Sequence, residues 1–556
     1  MLKRGKLAFE NLLLVFLLSG FLMAAGCGGD NGTVTVHQTP DVAGNWDFYY
    51  SADGGRADIG PELLEISQDG ELIQVARSPV DGPPVSGAGT AAANGVSFDD
   101  GRISARGNAE GDSLAGTWTN ADGQTGTWSA VRLTGQEPVV LINLGDSLVN
   151  GVQSAMVNEF TQVNSFPQVL AEQMDARAFT IWRDPLITAD GARIHPEYLP
   201  FNLGVSGLDA LELISERTGE GNPLLDALLA PIPQLVGGPV SPLEAAEYLA
   251  GLYPDKRKII TLWIGNNDVL GAVLRESGTL LNSEAIQAFL NDPAMGHDLP
   301  DVTAHLTEIV ERLSAIPRAE VLIANIPDVS QVAFLLTPED LERLAVFPGA
   351  EVTALAPGEA LGFGPFLNPE APEQSVARAL STNNALLNAA ILGTRAASES
   401  FVLTPEEAAP IQERVAALNQ LIADLARRPN VHLVDVNGTL ERLAAGEITV
   451  AGNNLTRTWG GGAFSLDGIH PSNTGYALLA NRHVAALNAA MPDLAVPELD
   501  LSVVWENDPY RDRDGDGYVY GPEFPPVIEP SLLPLADCDD ADPDVWPTYI
   551  SGMPCP

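Results

Sequence analysis

Residues 139–147 read VVLINLGDS, a nearly continuous apolar run that ends in a glycine and two polar side chains. Such a run is typical of a central parallel strand that is buried on both faces. Gly145 permits the sharp turn that ends the strand, because glycine lacks a Cβ atom. Ligands of open α/β sheets bind outside the carboxyl ends of the strands, so we expect Ser147 to face a crevice, where its hydroxyl can serve as a nucleophile.

Three later stretches supply the other groups that acyl transfer to a serine requires. They read FNLGVSG at 201–207, LWIGNND at 262–268 and LDGIHPS at 466–472. Gly207 offers a backbone N–H that can point at an oxyanion, and Asn267 offers a side-chain amide after a second apolar run. Asp467 places a carboxylate three positions before the imidazole of His470.

These four blocks, in this order, resemble those of the SGNH hydrolases, the GDSL esterase/lipase family. The resemblance implies that Ser147 is the nucleophile and that its N–H, the N–H of Gly207 and the amide of Asn267 form the oxyanion hole. It implies that His470 is the general base and Asp467 its orienting acid, with no cofactor for catalysis. A Gly-x-Ser-x-Gly elbow before an acid and a late histidine is absent from the sequence, which disfavours an α/β-hydrolase.

Residues 137–492 are expected to form the hydrolase domain. Further apolar strands are predicted at 321–326 and 431–436, and helices at 301–316, 404–427 and 472–490. Strands that alternate with helices predict a three-layer α/β/α sandwich with a parallel sheet, the fold that the resemblance also implies. The stretch 327–397 is rich in proline and glycine, and we interpret it as an insertion that shapes substrate access.

Residues 41–134 have the strand and turn pattern of a small antiparallel β domain. Short strands are predicted at 45–50, 63–67, 72–76, 96–98, 102–105 and 114–118, with turn signals between them. A Gly-x-Trp pattern occurs three times, at Trp46, Trp118 and Trp128. The pattern favours a closed, lipocalin-like barrel whose tryptophans belong to the core.

Composition narrows the range of partners. The 556 residues carry a formal net charge of −44, and four lysines are present in total, which argues against nucleic acid as a partner. The length indicates two to four domains, at about 150 residues per domain. A hydrophobic content of 45% is ample for a core.

Residues 1–27 have the basic, apolar and small-residue segments of an export signal. The apolar run 12–23 is shorter than the about 20 residues that a membrane span needs. The end of the segment resembles a bacterial lipobox with Cys27 as the lipidated residue, and a plain cleaved signal or an uncleaved anchor are the alternatives. Gly28 is not the aspartate associated with inner-membrane retention, which favours the outer membrane or cell surface. Residues 28–40 are a polar tether.

Residues 505–556 form an aspartate-rich tail that we expect to contribute nothing to catalysis. One stretch matches the Asp-x-Asp-x-Asp-Gly-x5-Glu calcium loop, with ligands from Asp512, Asp514, Asp516, Tyr518 (by its carbonyl) and Glu523. A Phe-Pro-Pro sequence follows and disfavours an EF-hand exit helix. In an oxidising compartment, Cys538 and Cys555 are expected to form a disulfide. A disordered acidic tail is the alternative.

Other polar residues near the blocks have plainer interpretations. Asp146 and Asp268 are expected to be hydrogen-bonded turn carboxylates. The histidines outside the blocks form no paired motif and are interpreted as surface or structural residues; they are His195, His297, His305, His432 and His483.

The sequence thus predicts an exported, lipid-anchored serine esterase or lipase. Its substrate is an ester of a class that the sequence leaves open: a lipid, an acetylated glycan or a small ester. A surface binding or adhesion lipoprotein that uses the hydrolase fold as a scaffold is the alternative. The intact set of five catalytic residue types favours the enzyme, because a scaffold has no physical need for it.

Overall fold

The computed structural model describes residues 39–52, 59–92, 95–274, 280–343, 355–362, 399–400, 402–511 and 513. The export signal with Cys27, the five calcium-loop residues and the two cysteines of the tail lie outside the described residues.

The first part of the described chain is a closed antiparallel barrel in which each strand pairs with the next and the eighth with the first. Its strands are β1 (Gly44–Ala52), β2 (Ile59–Asp69), β3 (Leu72–Ser78), β4 (Val85–Ala92), β5 (Gly95–Asp99), β6 (Ile103–Glu110), β7 (Ser113–Asn120) and β8 (Thr125–Arg132). Trp46, Trp118 and Trp128 are buried in its core, as predicted, and Phe48 stacks on Trp128 with ring centroids 5.7 Å apart.

Two of the barrel strands are absent from the sequence-based prediction. β4 reads VSGAGTAA, so it lacks the β-branched and aromatic alternation by which strands are recognised. β8 contains Trp128 of the Gly-x-Trp pattern, but its residues were not among the predicted strands. Closure of the barrel supplies both strands with partners, and for β4 this gain outweighs a weak local preference.

The rest of the described chain alternates strands and helices. The strands are β9 (Gln136–Gly145), β10 (Ala178–Ile181), β11 (Asn202–Gly204), β12 (Arg257–Trp263), β13 (Leu280–Leu281), β14 (Ala319–Ala324), β15 (Leu335–Leu336), β16 (Ala360–Gly362), β17 (Glu399–Ser400), β18 (Val402–Leu403), β19 (Val431–Val434), β20 (Ile448–Val450) and β21 (Asn453–Leu455). The helices are α1 (Ser147–Asn150), α2 (Glu159–Gln162), α3 (Phe166–Asp175), α4 (Ala210–Ser215), α5 (Pro223–Leu229), α6 (Ile232–Val236), α7 (Pro242–Gly251), α8 (Asn267–Leu270), α9 (Ser283–Leu290), α10 (Leu299–Ser314), α11 (Pro338–Arg343), α12 (Pro405–Leu425), α13 (Val436–Ala444), α14 (Asn473–Ala490) and α15 (Leu501–Glu506).

The central sheet is parallel and has the order β10-β9-β12-β14-β19, with β11 paired to the carboxyl-terminal end of β9. The side chains of Val139, Val140, Leu141, Ile142 and Leu144 are fully buried, which confirms β9 as a central strand. Helices α3 and α14 pack on one face of the sheet, and α7, α10 and α12 on the other. The predicted three-layer sandwich is therefore confirmed.

Helix boundaries follow local signals in the sequence. Thr404 caps α12 through the predicted capping box with Glu407, and Pro405 occupies the first helical position. In the described part of the stretch interpreted as an insertion, β15 and β16 pair with each other, and β16 also pairs with β18. No helix among the described residues is long and apolar enough to cross a membrane.

Candidate active site

Ser147 lies where β9 ends and α1 begins. Asp146 caps α1, because its Oδ1 accepts the N–H of Leu148 at 3.0 Å. The turn requires glycine at 145, since a Cβ there would lie 2.1 Å from the carbonyl oxygen of Trp263. The close approach of β9 and β12 thus forces the backbone turn that sets Ser147 at the carboxyl-terminal edge of the sheet.

The imidazole of His470 lies between Ser147 and Asp467. Its Nε2 is 2.9 Å from the Ser147 Oγ, and its Nδ1 is 2.7 Å from the Asp467 Oδ2. Asp467 Oδ1 accepts the N–H groups of Ile469 and His470, both at 2.8 Å, and Oδ2 also accepts the N–H of Ala155 at 2.7 Å. The structure therefore brings Ser147 together with Asp467 and His470, which lie 320 and 323 positions later in the sequence.

The carboxylate of Asp467 is held in its ionised form. Burial by itself raises the pKa of Asp467, but the charge of His470 and the hydrogen bonds that the carboxylate accepts lower it below its ordinary value. An ionised Asp467 favours the imidazole tautomer with its proton on Nδ1. That tautomer leaves Nε2 free to accept a proton from Ser147.

Gly207 and Asn267 follow the two strands on either side of β9. Gly207 has φ +89°, a left-handed conformation that favours glycine, in the turn between β11 and α4. Asn267 begins α8 directly after β12, and its Nδ2 donates to the carbonyl oxygen of Leu208 at 2.8 Å. The two predicted oxyanion-hole segments are therefore joined by a hydrogen bond.

Both carboxylates that were expected to support the turns do so. Asp146 Oδ2 accepts the side-chain amide of Asn266 at 2.8 Å, and burial raises the pKa of Asp146 to about 6. Asp268 Oδ2 accepts the N–H of Ala210 at 3.0 Å. Burial, followed by the charge of Asp209, raises the pKa of Asp268 to about 7. These contacts brace the serine turn against the asparagine turn.

Comparison with known proteins identifies the family. The family model for the GDSL-like lipase/acylhydrolase matches residues 141–483, more than half of the chain. The chain belongs to the GDSL-like lipase/acylhydrolase family. It is a carboxylic ester hydrolase, as the four sequence blocks predict.

Among solved structures, the GDSL hydrolase is similar to an extracellular lipase from Streptomyces rimosus, at 15% identity and a TM-score of 0.30, over 64% of this chain and 100% of that one. It is also similar to phospholipase A1 from Streptomyces albidoflavus NA297, at 13% identity and a TM-score of 0.28, over 64% and 100% of the two chains. A redesigned β-barrel matches 16% of this chain and 91% of its own, at 16% identity and a TM-score of 0.14. No curated protein matches.

The loop that carries His470 in this GDSL hydrolase is supported by residues that the sequence analysis missed. Ser154 donates its N–H to the Ser465 Oγ at 2.9 Å and its hydroxyl to the Tyr510 OH at 3.1 Å. Ser154 and Ala155 both have positive φ, at 49° and 59°, and their N–H groups point at the acid block. No local sequence pattern predicts these hydrogen bonds, because the residues that form them are far apart in the chain and meet only in the folded protein.

Tyr510 also corrects the boundary of the tail. We expected a separate segment from residue 505 onwards, but Trp505, Asp508 and Tyr510 are buried against the GDSL domain. Asp508 accepts the N–H of Thr474 at 2.6 Å, in the first turn of α14. Residues up to 511 therefore belong to the hydrolase, because they complete its core and cap its last long helix.

A small apolar cavity adjoins the loop of His470 in the GDSL domain. It lies between the sheet edge, α13 and α14, and its lining includes Leu148, Trp263, Leu440, Ile469 and Leu478. Leu148 and Ile469 are the chain neighbours of Ser147 and His470. Ser147 and His470 themselves are not among the lining residues.

Three of the remaining histidines have local partners, whereas the buried Nδ1 of His305 has no hydrogen-bond partner among the described residues. His432 pairs with Glu320 at 2.7 Å, His195 with Glu197 at 3.4 Å, and His483 lies 2.9 Å from the carbonyl oxygen of Leu479. Burial lowers the pKa of His483 to about 4. Within the described ranges, no group of three or more His, Cys, Asp or Glu side chains is arranged to hold a metal ion.

Proposed function

We propose that this protein is an exported serine esterase that hydrolyses carboxylic esters through an acyl-enzyme on Ser147. The observation that carries the proposal is the position of His470, with Nε2 at 2.9 Å from the Ser147 Oγ and Nδ1 at 2.7 Å from Asp467. His470 takes the hydroxyl proton as Ser147 attacks the ester carbonyl, and Asp467 stabilises the imidazolium that forms. His470 then gives this proton to the leaving alkoxide.

The oxyanion hole consists of the N–H groups of Ser147 and Gly207 and the amide of Asn267. A side-chain amide carries two N–H donors. One donor of Asn267 is held by the carbonyl oxygen of Leu208, so the other is oriented and free for the oxyanion. In the second half of the reaction His470 activates a water molecule, which hydrolyses the acyl-enzyme and frees Ser147.

The apolar cavity favours an ester with an alkyl acyl chain over an acetylated glycan. Its lining is almost entirely apolar. Because it includes Leu148, which follows Ser147, and Ile469, which precedes His470, we propose that the acyl chain enters this cavity. We therefore propose a lipid or another medium-chain ester as the substrate.

The terminal segments determine where the enzyme works. Cys27 carries a lipid that anchors the exported protein to the outer membrane or cell surface, where ester-bearing lipids are close at hand. The tail binds Ca²⁺ through Asp512, Asp514, Asp516, Tyr518 and Glu523, with a structural role, and the Cys538–Cys555 disulfide closes it. The lipid attachment is tested by Cys27→Ser, which should move the protein from the detergent phase to the aqueous phase.

Covalent labelling with a fluorophosphonate tests the central proposal. Wild-type protein should be labelled and should hydrolyse p-nitrophenyl esters, whereas Ser147→Ala should do neither and should keep its circular-dichroism spectrum. Ser314→Ala is the matched control, because the Ser314 hydroxyl donates to the carbonyl oxygen of Glu311 on α10 and supports no residue of the site, and this variant should still be labelled. If the wild type is not labelled, the proposed esterase activity is refuted, and the alternative of a surface binding lipoprotein is favoured.

A further inference from the structure

Three titratable side chains form a buried cluster beside the proposed oxyanion hole: Asp209, Asp268 and His297. Asp209 lies two residues after Gly207, and Asp268 directly follows Asn267. All three cluster residues are at most 7% exposed. A charge on any of them is therefore poorly screened by solvent and acts on the nearby hole.

The two carboxylates hold the segments of the hole together. Asp268 Oδ2 accepts the N–H of Ala210, and Asp209 Oδ1 accepts the N–H of Glu212 at 2.8 Å, which caps α4. Together with the hydrogen bond from Asn267 to Leu208, these contacts fix the turn after β11 against the turn after β12. Both carboxyl groups are thus built into the support of the hole, and Asp268, whose pKa is raised to about 7, gains its negative charge as the pH rises through neutrality.

His297 approaches the carboxylates from the segment between α9 and α10. Its Nε2 is 3.2 Å from the Asp209 Oδ2, and its ring packs on Phe289 with centroids 4.3 Å apart. The carbonyl oxygen of His297 accepts the Arg414 Nη1 at 2.6 Å, which anchors the segment to α12. His297 Nδ1 and Asp268 Oδ1 are both buried and have no hydrogen-bond partner in the described part of the chain.

The surroundings of the cluster are mostly acidic. Besides the three cluster residues, the charged groups that act on it are Glu212 on α4, Asp292 after α9 and Arg414 on α12, while Glu216 acts on Glu212 and Asp298 on Arg414. The hydrogen bond that Asp209 accepts, together with the nearby carboxylates, raises the pKa of His297 despite its burial. His297 therefore carries its positive charge over a wider pH range than a free histidine, and that charge offsets Asp209.

We propose that His297 is a positioning residue that keeps the support of the oxyanion hole free of excess negative charge. The inference rests on the proposed function, because it concerns the oxyanion formed there. Without the charge of His297, the buried carboxylate of Asp209, joined at higher pH by that of Asp268, repels the oxyanion that develops in the transition state. The ester substrate is uncharged at its carbonyl oxygen, so the repulsion lowers kcat and leaves KM nearly unchanged.

A pair of variants tests the charge itself. His297→Gln keeps a hydrogen-bond donor for Asp209 but removes the charge, and we expect it to lower kcat about tenfold with KM changed by less than about twofold. Adding Asp209→Asn removes the carboxylate charge and keeps a good helix cap. On a logarithmic scale, the double variant should recover at least half of the kcat that His297→Gln loses. If His297 served only for packing, the second substitution would lower kcat further.

The pH profile gives a second measurement that needs no variant. As pH rises, His297 loses the positive charge that offsets Asp209 and Asp268 gains its negative charge, so the wild-type kcat should decline on the alkaline side. The decline should be absent in the double variant. His432→Gln is the matched control, because His432 forms the same kind of pair with Glu320 on the central sheet, and its profile should follow that of the wild type.

Three results would overturn the inference: an unchanged kcat in His297→Gln, a double variant slower than His297→Gln, or no alkaline decline in the wild type. Thermal melting identifies a variant that fails to fold. In that case the pH profile of the wild-type kcat tests the inference without the variants. Each of these results leaves fluorophosphonate labelling of the wild type intact. Loss of that labelling refutes the proposed function instead, so the two failures are distinguishable.

Discussion

Replacing Asp467 with asparagine should remove almost all ester hydrolysis while the protein stays folded. Asp467 accepts two N–H groups through Oδ1, and one N–H group and the imidazole Nδ1 through Oδ2. An asparagine has a single acceptor oxygen, which the two N–H groups of Ile469 and His470 require. The NH₂ group must then face the N–H of Ala155 and the Nδ1 of His470.

The size of the effect follows from the tautomer that this NH₂ group imposes. A donor facing Nδ1 favours the imidazole with its proton on Nε2, directed at the Ser147 Oγ at 2.9 Å. His470 in that form cannot accept the serine proton. A wrong tautomer in a serine triad costs about 10⁴ in kcat, or about 5.4 kcal/mol in the activation free energy, and KM should change little.

The assay measures steady-state kcat and KM with a p-nitrophenyl ester, alongside thermal melting as a function of pH. Because the pKa of Asp467 is lowered by folding, its contribution to stability is present above the unfolded value of about 3.9 and is lost as pH falls through the folded value. The variant should lack this contribution, so the two melting curves should converge at low pH. Asp500→Asn, an exposed helix cap, is the control and should melt and react like the wild type. A kcat within about tenfold of the wild type would refute the role of Asp467 in setting the tautomer.

Four further predictions use the same assays. Asn267→Ala should lower kcat by about 10² to 10³ while fluorophosphonate still labels Ser147, and a change below about twofold would remove Asn267 from the oxyanion hole. Leu440→Trp should fill part of the apolar cavity and shift the preference towards short acyl chains by about tenfold or more, relative to Leu235→Trp on the exposed surface; an unchanged chain-length profile would place the acyl chain elsewhere. A chain ending at residue 497 should lose activity because it lacks Asp508 and Tyr510, whereas a chain ending at 513 should keep it, and equal activities would contradict the support seen for α14 and the loop of His470. Calorimetry should detect Ca²⁺ binding to the full chain, and Asp514→Ala with Asp516→Ala should abolish it without affecting ester hydrolysis; binding retained by the double variant would exclude these ligands.

The parts of the site that the sequence predicts are those with a local signature. The apolar run into Gly145 identifies a buried strand and the turn after it, because burial on both faces demands apolar side chains in sequence. The block at 467–470 contains both ends of one hydrogen bond within a single turn of chain. Four such blocks in family order were enough to indicate the parallel α/β fold and the residues that the fold then brings together.

The supporting residues lack such a signature, because their partners are far away in the chain. Ser154 and Tyr510 are 356 positions apart, and Asp209 and His297 are 88 apart. β4 is formed from small residues that favour no strand by themselves and is held by its neighbours in the barrel. Local sequence patterns record short-range geometry, whereas these contacts depend on how separate elements pack.

The sequence by itself determined the family and the sandwich of parallel strands and helices, and it predicted the five residues of the proposed site. Local chemistry suffices for this, since a buried strand, a glycine turn and an acid–histidine pair each leave a pattern within a few residues. Only the tertiary structure decided that the hydrolase extends to residue 511, and that a buried histidine faces the carboxylates beside the oxyanion hole. Burial and charge compensation are properties of the assembled core, where side chains distant in sequence share one poorly screened environment.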